Sequence, residues 1–96
     1  MRNYPALVFH TIIETGGSSR ILHFKREFSL TMPPFRGLVI EADDRDHTVV
    51  WSVKVDQVRY NAYAHSLTLT TENRVLDSKG FDEALFAMAH SWQEDK

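Results

Sequence analysis

One change of period constrains this chain more than any other feature. Up to about Glu72 apolar side chains recur at every second position, as strands require. From Phe81 onward they recur at three- and four-residue intervals, as a helix requires. Phe81, Ala84, Leu85, Met88, Ala89 and Trp92 form one helical stripe. The pattern predicts an α+β, mostly β fold, with a β region over about residues 6–72 and a C-terminal amphipathic helix over about 79–93 packed on it. Burial of Phe81, Leu85, Met88 and Trp92 contributes about 6–12 kcal/mol as an upper bound, enough to require that the helix dock. Asp77, Ser78 and Gly80 are alternative N-caps, and Asp82 and Glu83 are placed in the first turn.

Within the β region, Ala6–Glu14 reads as a first strand, with Leu7, Phe9 and Ile13 on one face and Val8 and Ile12 on the other. Apolar residues on both faces predict cover on both sides, from the fold itself or from a partner. Thr15-Gly16-Gly17-Ser18-Ser19 then makes a hairpin turn. A long second strand runs from about Arg20 to Met32, with Leu22, Phe24, Phe28, Leu30 and Met32 on one face, and Pro33-Pro34 ends it. Leu38–Ala42 is a third strand, and Asp43-Asp44-Arg45-Asp46 a polar connection. In the fourth strand Val49, Trp51, Val53 and Val55 share a face. The parity slips at Asp56-Gln57, so that Val58 and Tyr60 continue that face, which predicts a β-bulge. Asn61–His65 turns the chain into a fifth strand carrying Leu67 and Leu69. Together these predict a five-stranded antiparallel meander curled into a partial or closed small barrel. Barrels of the SH3-like and OB type share this size and strand count, a likeness of architecture and not of motif.

Ninety-six residues suit a single domain, 1–96. The chain has no cysteine, which excludes disulfides, thiolate zinc sites and cysteine nucleophiles. Met1–Pro5 lacks the apolar core of a signal peptide, and no apolar run reaches the roughly 20 residues that span a bilayer, so the expected setting is soluble and cytoplasmic. Charge is uneven, +3 over residues 1–36 and −5 over residues 37–96. Opposed halves suit self-association, whereas the scattered Arg and Lys make no face for nucleic acid.

Several residues carry candidate chemistry. Arg26 falls at an inward position between Phe24 and Phe28, where a charge needs a partner; it is either an anchor for an anionic ligand or one half of an ion pair with an acid such as Glu41. His10 lies opposite His23 if Gly16 and Gly17 are the two central turn residues, and opposite Lys25 if the loop has four. Two imidazoles with Glu27 can hold a metal, although no compact ligand spacing is present, and ordinary polar-face histidines are the plainer reading. Glu41, Asp43, Asp44, Asp46 and His47 read as a solvated acidic turn, and Gly16–Arg20 as a hairpin turn, since it feeds a strand and not a helix. No nucleophile elbow or cofactor motif appears.

Four functions remain open, the last-ranked being single-stranded nucleic-acid binding on the sheet, where Lys25, Lys54 and Arg59 have no outward aromatic row beside them. The first is a non-catalytic interaction module, a homodimer or partner-binding protein, using Val8, His10, Ile12 and an off-stripe Phe86. The second is a small-molecule-binding barrel lined by Phe24, Phe28, Trp51 and Tyr60, with Arg26 as polar anchor. The third is an enzyme using His10 and His23. The expected order puts the interaction module first, with no cofactor, no metal and no catalytic residue assigned.

Overall fold

A computed structural model describes residues 3–43, 50–89 and 91–95, with backbone alone at Asp43 and Val50. In chain order it contains β1 (Tyr4–Glu14), β2 (Ile21–Leu30), β3 (Val39–Asp43), β4 (Val50–Asn61), β5 (Ser66–Thr71), β6 (Arg74–Leu76), α1 (Ser78–Met88) and β7 (Gln93–Glu94). The protein is mostly β with one helix among the described residues, and its sheet is a curled, open half-barrel. The acidic connection at Asp44, Asp46 and His47 lies outside the described residues, as does Val49.

The sheet is not the five-stranded antiparallel meander that alternation suggests. Seven strands in the order β3-β4-β5-β1-β2-β7, with β6 also beside β1, make a mixed sheet. β1 is antiparallel to β2 but parallel to β5 and β6. One face of β1 is buried, whereas Leu7, Phe9 and Ile13 on the other are only half-buried, so the cover that the pattern predicts on both sides is complete on one alone. Parallel pairing needs a crossover, here through β2, β3 and β4, and alternation within each strand carries no information about which strand will be its neighbour.

Two irregularities shape the inner face. β4 slips by one residue at Asp56, since Val55 pairs with Thr71 but Gln57 with Thr70; this is the bulge that the parity change predicts. A second separates β5 from β6: between Phe9 and Ile12 β1 advances three residues, while its partner advances four, from Thr70 to Arg74. Bulges bend a strand and re-aim side chains.

The core holds Val8, Ile12, Phe24, Val53, Val55, Leu69, Phe81, Ala84, Met88 and Trp92 in a single cluster. α1 ends at Met88, short of the expected end at about residue 93, and the backbone N–H groups of Ser91 and Trp92 both donate to the Met88 carbonyl. The stripe is thus completed by a turn that carries Trp92 inward, and Gln93–Glu94 then pair with β2. Asp77 is the N-cap, its carboxylate accepting from the Gly80 N–H at 2.6 Å. Asp82 and Glu83 lie beyond the first turn, which holds no acid.

Candidate functional site: an aromatic strip on the inner face

The register of the β1–β2 hairpin decides which side chains share the interior. His10 pairs with Phe24, not with His23 or Lys25, because Glu14 N–H donates to the Arg20 carbonyl and leaves a five-residue loop, Thr15–Ser19. Gly16, Gly17 and Ser19 adopt positive φ to close it. An odd loop length changes which face of β1 each β2 side chain shares, compared with a two- or four-residue turn. His10 therefore faces inward, while His23 faces outward and meets the Thr11 hydroxyl at 2.8 Å. The two imidazoles lie on opposite faces and cannot share a metal or a substrate. Arg26 is paired with Val8 and so keeps its predicted place on the inner face.

The inner face of β1 reads Ala6, Val8, His10, Ile12 and Glu14, all buried. Val8, His10 and Ile12 are covered by their own chain, with exposures of 1% or less, and are not available to a partner as the interaction reading expects. Tyr60 also departs from expectation: it is 60% exposed, and its hydroxyl lies 3.2 Å from His65 Nδ1. After the Asp56 bulge only Val58 packs against the core. Phe86 is exposed on α1.

Around His10 the rings form a continuous strip. The Arg74 guanidinium lies 4.7 Å over Trp51, and Trp51 meets His10 edge-on at 6.1 Å. His10 lies 6.1 Å from Trp92, Trp92 is 5.7 Å from Phe28, and Arg26 covers Phe28 at 4.9 Å. Phe24, Phe28, Trp51 and Arg26 are thus brought together, joined by His10, Trp92 and Arg74. Arg74 follows the β5–β6 break in a three-residue strand too short to show a period, which hides it from sequence reasoning. Trp92 reads as one more residue of the helical stripe.

Hydrogen bonds fix the His10 ring. Its Nδ1 lies 2.6 Å from Thr71 Oγ1, and the Thr71 hydroxyl donates to the Phe9 carbonyl at 3.0 Å. A hydroxyl has one proton, so Nδ1 carries the hydrogen and donates to Thr71. Nε2 is left with a bare lone pair. Burial, and secondarily the positive charge of Arg74, lower the His10 pKa from 6.5 to about 4, so the ring is neutral at pH 7. Three buried side-chain nitrogens lack a partner among the described residues: His10 Nε2, Trp51 Nε1 and Trp92 Nε1. Two are donors and one is an acceptor, and all three belong to adjoining rings. Each such group left unsatisfied costs about 1–3 kcal/mol.

Two openings reach the strip. A groove of about 260 Å³ is lined by Leu22, Phe24, Leu85, Ala89, Trp92 and Glu94. A larger one, about 580 Å³, lies mainly against the outer-face residues Pro5, Leu7, Glu27 and Ser29 and touches the strip at Phe28; His10, Trp51 and Arg74 line neither opening. The chain matches no protein-family model, no curated protein and no solved structure in the comparisons made with each.

Proposed function

We propose that the protein binds a small molecule on the inner face of its half-barrel. His10, Trp51 and Trp92 supply the polar contacts, and Phe24 and Phe28 the apolar wall. The observation that carries this reading is the trio of buried nitrogens without a partner. Buried polar groups are paired in the great majority of proteins, and three exceptions on adjoining rings call for a guest that offers both an acceptor and a donor. The groove lined by Phe24 and Trp92 borders the strip at one end. The interaction module has less support, because three of its four residues, Val8, His10 and Ile12, are inside the core. Catalysis shared by His10 and His23 has none, since a strand lies between their side chains.

The chain has two tryptophans, and both belong to the strip, so their indole N–H signals report on it directly. Nitrogen-15-labelled protein titrated with benzamide, benzoate and benzyl alcohol at millimolar concentrations should show saturable shifts of both signals with at least one probe. His10→Leu should abolish them. If no probe moves either signal, the binding reading fails.

A further inference from the structure

We propose that the outer face of the sheet docks against the same face of a second copy of this chain, with Glu27 of each copy meeting Arg59 of the other. The inference goes beyond the small-molecule reading and concerns the opposite face of β1. There Leu7, Phe9 and Ile13 alternate with the buried inner residues and have only partial cover. Val75 of β6 lies beside Ile13 on one flank and Ile21 of β2 on the other, and both are more than half exposed. An open apolar seam along the central strand of a sheet marks a contact surface.

Paired residues point to the same side of a sheet, so the pairing lays out the outer face in rows across the strands. One row runs Arg59, Thr68, Leu7, Glu27, from β4 through β5 and β1 to β2. The next runs Gln57, Thr70, Phe9, Lys25. The first row thus ends in a cation on one side and an anion on the other. Both are exposed, and among the described residues neither Arg59 nor Glu27 is in an ion pair. The Arg59 guanidinium donates to Gln57 Oε1 at 3.1 Å and retains further N–H groups to give.

Such a row is complementary to itself. A two-fold axis lying between two sheets, along the strands and midway between β1 and β5, exchanges β1 with β5 and β2 with β4. Strand directions agree with this exchange, since β1 is parallel to β5, and β2 and β4 are antiparallel to those partners. Arg59 of each copy then stands over Glu27 of the other, and Leu7 over Thr68. In the next row Phe9 falls over Thr70, while Lys25, already paired with Asp95 at 3.5 Å, falls over the uncharged Gln57. No like charges meet in either row. Aligned sheets pack about 10 Å apart, a gap that an arginine and a glutamate bridge from opposite sides. Shape agrees with charge: the groove of about 580 Å³ lies at the Glu27 end of the row, against Pro5, Leu7 and Ser29, and accepts the Arg59 side chain of the second copy.

Sedimentation velocity of the full chain from about 1 to about 200 µM, at low salt and at about 0.5 M salt, tests the interface. The wild-type chain should form a dimer that dissociates on dilution and weakens as salt rises. Arg59→Glu and Glu27→Arg should each weaken it about tenfold or more, and the double exchange should restore it to within about threefold. Both positions are exposed and outside the strip, so the indole signals of folded variants should match those of the wild type. Should a single variant fail to fold, the wild-type salt series and the double exchange decide. A chain that stays monomeric at about 200 µM, a dimer indifferent to the charge reversals, or one that the double exchange does not restore overturns the proposal. In each case the small-molecule reading, which rests on the other face, is left standing.

Discussion

His10 and Glu14 stand four residues apart on the same face of β1, both almost wholly buried, and the fold treats them in opposite ways. Every oxygen of Glu14 is used. Arg20 clasps it with Nε at 3.2 Å and Nη2 at 3.0 Å, and its backbone N–H donates as well at 3.2 Å. Arg20 continues to Asp82 at 2.8 Å and lies 4.5 Å over the Phe81 ring, so one guanidinium ties the hairpin turn to α1. These hydrogen bonds, chiefly the side-chain ones from Arg20, lower the Glu14 pKa to about 2 and raise that of Arg20. His10 has one nitrogen satisfied and the other left open between two indoles. A saturated buried polar group holds a structure together; an unsaturated one is a place for something else to bind.

The comparison can be broken at either end. The largest effect belongs to the clamp: Phe81→Ala removes a fully buried ring from beneath Arg20 and should cost about 3–5 kcal/mol in urea unfolding. A loss under about 1 kcal/mol would mean that α1 contributes little to the core.

Acid titration of stability comes next, because the two residues predict separate limbs. The unfolded chain protonates His10 below 6.5 and the folded chain only below about 4. Stability is therefore full above pH 6.5 and declines by roughly 3 kcal/mol as pH falls to 4. His10→Gln should flatten this limb; a slope that survives the substitution would assign it elsewhere. Glu14 is the other limb. Its carboxyl protonates at about 2 when folded against 4.5 when unfolded, so its contribution is full above pH 4.5 and is lost as pH falls through 2. Glu14→Gln should remove this lower limb and leave the upper one unchanged, as independent sites require.

The smallest effect lies in the loop that sets the register. Gly17 has φ +52°, and an added Cβ would come within 2.7 Å of Ser78 Oγ, the far end of a side chain that can rotate away. Gly17→Ala should cost about 1–2 kcal/mol, mostly from the backbone conformation. No change in thermal midpoint would show that the loop tolerates another shape.

Much of this fold is legible in local pattern. Alternation, the change to a helical period, the N-cap at Asp77 and the slip at Asp56 are all written in neighbouring residues, and each has a counterpart in the structure. What local pattern does not hold is how the pieces meet. Whether the β1–β2 loop contains four residues or five changes no periodicity, yet it moves His10 between facing Lys25 and facing Phe24. The parallel pairing of β1 with β5 joins residues about sixty positions apart. Trp92 obeys the helical spacing although the helix has already ended, because a turn at Met88 delivers it to the same place. Phe24, Phe28, Trp51 and Arg26 could be nominated from parity alone. Their connection through His10, Trp92 and Arg74 required the register and the second bulge.

The state of one nitrogen bears the whole weight of the distinction between clamp and strip. A long-range proton–nitrogen correlation spectrum of the His10 ring at pH 7 should show the hydrogen on Nδ1 and a bare, unbonded Nε2 whose signal moves when benzoate is added. A hydrogen on Nε2, or an Nε2 already hydrogen-bonded in the ligand-free protein, would contradict the account.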